Sequence, residues 1–224
     1  MNKAAFWVGL SLLPFLMMGM QQGGQPGEDP REQAEKILND LSELYQSYDV
    51  IKADFQFILE TREEEDPYRE ERKGEITMKG EKFKLDLEGQ TITTDTETMW
   101  TYVKEANEVQ VTNYDREEIE FHPKEIFRIY EEDYKYIYQG SDVSEGNVLD
   151  VVELTPKDKD DDIFKVRLYI DRSSGRIERS IVFEKDGMKY TYEILSMNTD
   201  AELTSEYFSF KEEDHPEVNI IDLR

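Results

Sequence analysis

In the stretch Ala53-Asp54-Phe55-Gln56-Phe57-Ile58-Leu59, the residues Ala53, Phe55, Phe57 and Leu59 alternate with Asp54, Gln56 and Ile58. A strand sends successive side chains to opposite faces, so a period of two marks a sheet with one buried and one wetted face. The pattern recurs outward from here. Gly74, Ile76 and Met78 alternate with Glu75, Thr77 and Lys79, and Phe83, Leu85 and Leu87 with Lys84, Asp86 and Glu88. Phe164, Val166, Leu168 and Ile170 alternate with Lys165, Arg167, Tyr169 and Asp171. Short Gly-containing links, Lys79-Gly80-Glu81, Arg172-Ser173-Ser174-Gly175 and Lys185-Asp186-Gly187, suit hairpins. The spacing predicts about eleven strands in an up-and-down meander, a sandwich or barrel-like sheet rather than a parallel one.

Upstream the period is helical. Pro30 follows Asp29, an N-cap residue type, and Ala34, Ile37, Leu38, Leu41, Leu44, Tyr45 and Tyr48 recur every three or four residues. Glu32, Glu35, Lys36, Asn39, Asp40 and Glu43 fill the other side, so one stripe of this helix must dock on something. A second, short helix is expected over Pro123–Asp133, with Ile126, Phe127, Ile129 and Tyr130 clustered in it. Two modest helices then face a long one-sided sheet. Either the sheet's apolar side packs solid, or a greasy gap remains between sheet and helices, and periodicity alone leaves both open.

Residues 1–20 read as a signal peptide: Lys3 precedes an apolar run of about 17 residues from Ala4 to Met20, at the short end of what spans a bilayer. Cleavage is the expected outcome, and a retained anchor is the alternative. Residues 21–29, rich in Gln, Gly and Pro, form a linker, and residues 30–224 a single domain. There is no cysteine, which removes lipid anchoring at a Cys, disulfides and thiolate metal sites. The formal net charge is −25, and losing residues 1–20 removes only Lys3 and leaves −26. Such a surface repels nucleic acid phosphates, so no nucleic acid partner is expected.

Catalytic chemistry finds little support. His122 and His215 each precede a proline and stand far apart. Ser173-Ser174 lies in a hairpin turn without a nucleophile-elbow pattern, and Asp158, Asp160, Asp161 and Asp162 lack the Gly and distal Glu of a calcium loop. No enzyme activity, no metal and no cofactor are expected.

Five segments resemble the LolA family of lipoprotein carriers, in the family's order. They are Lys52-Ala53-Asp54-Phe55-Gln56, then Thr94-Asp95-Thr96-Glu97-Thr98-Met99-Trp100-Thr101-Tyr102, then Glu153-Leu154-Thr155-Pro156-Lys157. Ile170-Asp171 through Gly175-Arg176-Ile177 and Glu206-Tyr207-Phe208-Ser209-Phe210 complete the set, which extends over roughly residues 31–222. The resemblance implies a mainly β fold with some α: an unclosed antiparallel half-barrel, its concave face lidded by the N-terminal and the inserted helix. One departure concerns the lid. Where the family carries an Arg-Pro pair whose Arg tethers lid to barrel, this chain reads Met78-Lys79-Gly80-Glu81-Lys82-Phe83, leaving Lys79 or Lys82 as substitutes without the bidentate fork of Arg.

By resemblance the chain is a periplasmic, monomeric carrier whose cavity takes the acyl chains of lipoproteins. An inner-membrane ABC lipoprotein-release transporter would load it, and an outer-membrane acceptor would receive the cargo. A lipid or glycolipid carrier, or a lipoprotein-sensing regulator of the same fold, is the alternative. The expected cavity liners are Phe55, Phe57, Phe83, Leu85, Leu87, Trp100 and Tyr102, and the expected lid residues Leu41, Leu44, Ile126, Phe127 and Tyr130. Burial of an acyl chain gains about 0.8 kcal/mol per methylene. Partial shielding of roughly eight methylenes therefore gives micromolar-scale affinity, compatible with release.

Overall fold

The computed structural model describes residues 28–61, 68–115 and 133–224. Helix α1 (Pro30–Ser47) starts at Asp29, whose Oδ1 accepts the Arg31 N–H at 2.9 Å, with Pro30 in the first turn, where a missing N–H costs nothing. Twelve strands follow among the described residues. The first six are β1 (Val50–Thr61), β2 (Arg69–Lys79), β3 (Lys82–Leu87), β4 (Gln90–Thr94), β5 (Thr98–Val103) and β6 (Glu108–Asn113). The others are β7 (Tyr134–Ser144), β8 (Asn147–Pro156), β9 (Ile163–Asp171), β10 (Ile177–Glu184), β11 (Met188–Asn198) and β12 (Asn219–Asp222).

They form one open sheet in the order β12-β6-β5-β4-β3-β2-β1-β11-β10-β9-β8-β7, a half-barrel whose edge strands β12 and β7 do not pair with each other. Two points differ from the expected meander of eleven strands. First, β1–β6 and β7–β11 are two separate meanders, joined where β1 pairs with β11. Second, β12 is an added strand, parallel to β6, in a sheet otherwise antiparallel. Four residues, Asn219-Ile220-Ile221-Asp222, are too few to carry a periodic signal, and their partner lies more than a hundred residues upstream. The expected hairpins are present, and the turn glycines Gly80 (φ 60°) and Gly187 (φ 94°) adopt left-handed backbone that a side chain would strain. The expected inserted helix falls almost wholly on residues outside those described.

Among the described residues α1 covers part of the inner face and the chain after β11 part of the outer face, while a smaller cluster of Leu149, Val151 and Tyr169 is buried on the outer side of β8 and β9. On the inner face, α1 lays Ala34, Leu38, Leu41 and Tyr45 against Ile51, Met78, Phe83, Tyr134, Val152, Leu154, Val166, Leu168, Ile170 and Ile177, the main core. The Tyr45 hydroxyl accepts the Ile177 N–H at 3.2 Å, and the Tyr48 hydroxyl accepts Arg176 Nε at 3.1 Å, which pins α1 to the β9–β10 hairpin. On the outer face, the chain after β11 crosses the first meander. Tyr207 meets Thr77 at 3.1 Å through their hydroxyls, Phe208 is 1% exposed, and the Phe210 and His215 rings pack at a tilt on Tyr102. Asn107 then holds this strap, its side chain donating to the Pro216 carbonyl and its carbonyl accepting the Asn219 N–H.

Candidate functional site

Register assigns each strand residue to a face. Ile51, Ala53, Phe55 and Phe57 of β1 stand opposite Met78, Ile76, Gly74 and Arg72 of β2, and opposite Met197, Ile194 and Tyr192 of β11. Phe83, Leu85 and Leu87 of β3 follow Met78, Ile76 and Gly74 on the same face. Since Ile51, Met78 and Phe83 touch α1's cluster, this is the inner face. Near α1 it is fully buried. Farther along β1 and β3, at Phe55, Phe57, Leu59 and Leu87, it is only half-buried, outside the cluster that α1 packs on.

Five of the seven expected liners therefore share one face. Phe83 is 4% exposed within the core, and Leu85 packs at its margin. Phe55 and Leu87 converge over Gly74: a Cβ built there would lie 2.8 Å from Phe55 Cζ, from Leu87 Cδ2 and from the Asp86 carbonyl oxygen. Glycine is what lets two large side chains close over the strand. Phe57 sits between Tyr190 and Tyr192 of β11, at ring-centre distances of 6.1 and 5.2 Å. Those two tyrosines share the face of Phe57 and are not among the expected liners. Lys189-Tyr190-Thr191-Tyr192 carries the same period of two, but only the long-range pairing of β11 with β1 reveals which face the rings take.

Trp100 and Tyr102 are corrected. Thr101 pairs with the inward Ile92, so its neighbours Trp100 and Tyr102 face outward, and Tyr102 is packed by the strap through Phe210 and His215. The sequence shows that strand's alternation but not its phase. Of the expected lid residues, Leu41 is 1% exposed in the core, and Leu44 lies against Gly175, 3.3 Å from where a Cβ would project. Ile126, Phe127 and Tyr130 lie outside the described residues. Neither Lys79 nor Lys82 replaces an Arg beneath the helix. The two are paired on the outer face, and Lys79 Nζ bonds Asp49 at 3.1 Å.

Two ion pairs lie on the inner face, where the Tyr190 hydroxyl also donates to Glu184 at 3.2 Å. Arg72 is paired with Glu70 at 2.5 Å, and Arg172 clamps Asp150 beside the Tyr138 hydroxyl. Burial pushes the Asp150 carboxyl up, but the bonds from Arg172 and Tyr138 outweigh it and hold the group below its ordinary value. Burial raises the Tyr192 hydroxyl, so it stays protonated and donor-capable. A cleft of about 620 Å³ runs along β1–β3, sharing Phe55, Gly74 and Leu87 with the strip and otherwise lined by Asp54, Lys73, Glu75, Asp86, Glu88, Lys104 and Leu195. Its charged residues alternate with the inner-face positions, and Lys104 is taken up by Asp86 and the Leu87 carbonyl.

The described residues weighed for catalysis make local contacts, and His122 lies outside the described residues. Ser173 donates to Asp171 at 2.6 Å, while Asp158 and Asp161 accept the N–H groups of Asp160 and Ile163. His215 stacks on Phe210 at 4.7 Å. No helix among the described residues is long and apolar enough to cross a membrane.

Solved structures resemble this chain at low identity. An uncharacterized conserved protein from Thermus thermophilus superposes with a TM-score of 0.52 at 12% identity, covering 85% of this chain and 99% of its own. A LolA superfamily protein from Nitrosomonas europaea gives 0.42 at 14%, with 79% and 97% covered. MucB in its Pseudomonas aeruginosa complex with MucA gives 0.40 at 16%, with 81% and 62% covered. No curated protein matches significantly. The model of the family described as outer membrane lipoprotein carrier protein LolA matches residues 46–211, most of the chain, and the protein belongs to that family.

Proposed function

We propose that this protein is a non-enzymatic, extracytoplasmic carrier that shields the acyl chains of lipoproteins on the inner face of its half-barrel. One observation carries the reading. Phe55, Phe57, Leu59, Leu85, Leu87, Tyr190 and Tyr192 form a continuous apolar strip that α1 leaves half-buried, where an ordinary core would be closed. A strip of that kind binds hydrocarbon without chemistry, and partial cover favours transient binding. Family membership supports lipoproteins as the cargo, and the apolar run at residues 4–20 supports export to the periplasm. Loading by an inner-membrane ABC transporter and delivery to an outer-membrane acceptor follow from the same reading.

The test is native mass spectrometry of the exported protein, combined with titration of an apolar fluorescent probe. Co-purified acylated proteins and saturable probe binding are expected. Phe57→Glu places a charge amid the strip and is expected to weaken the probe at least tenfold, since an unpaired charge against hydrocarbon is strongly disfavoured. Unchanged probe binding in Phe57→Glu removes the strip from the site. Free lipids in place of lipoproteins would assign the protein to lipid transport.

A further inference from the structure

The outer face of the second meander carries a charge balance opposite to that of the chain. Register places Glu153 of β8, Arg167 of β9, Ile181 of β10, Thr191 of β11 and Ile58 of β1 in one cross-strand row. Val152, Val166 and Leu168, which alternate with them, pack under α1, so this row faces outward. The row on one side holds Tyr169, Arg179 and Glu193, and the row on the other Lys165, Phe183, Lys189 and Glu60. Register adds Lys135 on β7, and Arg69, Glu71 and Lys73 on β2. Seven cations thus share the patch with four carboxylates, in a chain where 52 Asp and Glu outnumber 27 Lys and Arg. Adding Glu178, the bulge residue beside Arg179, leaves the excess in place.

The cations are shared out and held flat. Glu153 accepts from both Lys165 at 3.0 Å and Arg167 at 2.9 Å, and Glu60 pairs with both Lys189 and Arg69. Arg179 reaches Glu193 only at 3.8 Å, while Lys73 and Lys135 are exposed with no ion pair among the described residues. The Arg179 guanidinium lies 4.1 Å from the centre of the Tyr169 ring, and Lys165 Nζ 5.0 Å from that of Phe183. Covering those rings explains long side chains here. It does not explain positive charge that no carboxylate offsets. Stacking also fixes the guanidinium, so little further ordering is needed to bind an anion.

The outline of the patch selects the anion. Carboxylates close it at both strand ends, Asp142 and Asp171 at one and the loop with Asp158, Asp160, Asp161 and Asp162 at the other. A planar anionic membrane would bring those groups, and the −25 of the whole chain, within a Debye length of about 8 Å. One extended acidic segment avoids them. From β8 to β1 the patch spans roughly 20 Å at about 4.8 Å per strand, the length of about six extended residues.

We propose that the outer face of β8–β11 and β1 docks an acidic segment of a partner protein. The patch lies opposite the face assigned to acyl chains and does not depend on that reading. A partner held here would leave the inner face untouched.

The probe is hexaglutamate, with a Gly-Ser hexapeptide carrying the same fluorescein label as control, followed by anisotropy at low salt. The wild-type chain is expected to bind hexaglutamate saturably and the neutral peptide not at all. Arg167→Gln/Arg179→Gln is expected to weaken hexaglutamate by about fivefold or more, two solvent-facing charge contacts being lost. Lys36→Gln/Lys211→Gln removes the same charge from α1 and from the chain after β11, and is expected to leave binding unchanged. Carbodiimide coupling of the peptide to wild-type protein, mapped by mass spectrometry, is expected at Lys135, Lys165 and Lys189 and needs no variant to fold. Absence of saturable binding by the wild-type chain overturns the proposal, as does equal weakening in both double variants. Coupling confined to lysines outside the patch also overturns it. Phosphatidylglycerol vesicles that bind where hexaglutamate does not would overturn it in favour of a membrane.

Discussion

In β8 and β9 the buried residues Val152, Leu154, Val166 and Leu168 point inward beneath α1, whereas in β5 and β6 Val109 and Val111 point outward, in the layer that the strap crosses. Both arms obey the same alternation, interrupted in the β7–β11 arm by register shifts at Tyr138/Gly140 and Ile177/Arg179. The difference lies in what arrives to cover them. A helix tied by Tyr45 and Tyr48 to the β9–β10 hairpin closes one arm from inside, while twenty-odd residues after β11 close the other from outside. Between the two lies the strip of Phe55, Phe57 and Leu87, fully covered by neither. A sheet partly covered by α1 on one face and by the strap on the other thus presents a half-open apolar surface.

The sharpest way to break this comparison is to remove the strap's anchor. Phe208→Ala is expected to cost about 3–5 kcal/mol in denaturant unfolding, as for a large aromatic leaving a closed core. In a chain lacking residues 1–20, Trp100 is the sole tryptophan, so its emission should shift to the red in this variant and remain unmoved when a hydrocarbon probe binds the inner face. A probe-dependent Trp100 signal would contradict the assignment of faces. On the other arm, Leu38→Ala under α1 is expected to cost about 2–5 kcal/mol without altering Trp100 emission.

Two smaller effects sharpen the picture. Gly74→Ala forces Phe55, Leu87 or the β3 backbone to give way, at about 1–3 kcal/mol, and should weaken probe binding more than either core variant. Its cost appears as a lowered midpoint in urea. The smallest effect is electrostatic and belongs to the α1 arm. The Asp150 and Glu153 carboxyls are held below their ordinary values by Arg172 with Tyr138 and by Arg167 with Lys165, in each case against the opposing push of burial. A lowered folded-state pKa gives stability that is present above the unfolded value and lost as pH falls through the folded one. Melting temperature should therefore fall on acidification below about pH 4, where carboxylates of ordinary pKa titrate. Asp150→Asn should flatten that dependence, and an unchanged slope would remove the Arg172 clamp from the account.

Much of this was legible before any coordinates. The alternation at Ala53–Leu59 and its repeats announced an antiparallel sheet, because one buried face leaves a period of two in the chain. Asp29, Pro30 and the stripe from Ala34 to Tyr48 announced a docking helix, since capping and amphipathicity are local. Family motifs located five segments in order. The site was half legible. Phe55, Phe57, Phe83, Leu85 and Leu87 share a face because neighbouring hairpins carry phase from strand to strand. That phase puts Trp100 outward, a consequence of β3–β4–β5 register rather than of residue type.

What the chain determined alone was therefore each segment's local conformation and the existence of two faces, since both follow from contacts a few residues apart. Which face is inside, and where cover is missing, depended on β1 meeting β11 and on Tyr207, Phe208 and Asn219 returning to strands more than a hundred residues away. Such pairings leave no periodic trace, because hydrophobic burial has no direction of its own. An apolar side chain is satisfied by whichever partner reaches it, and only the folded chain decides which does.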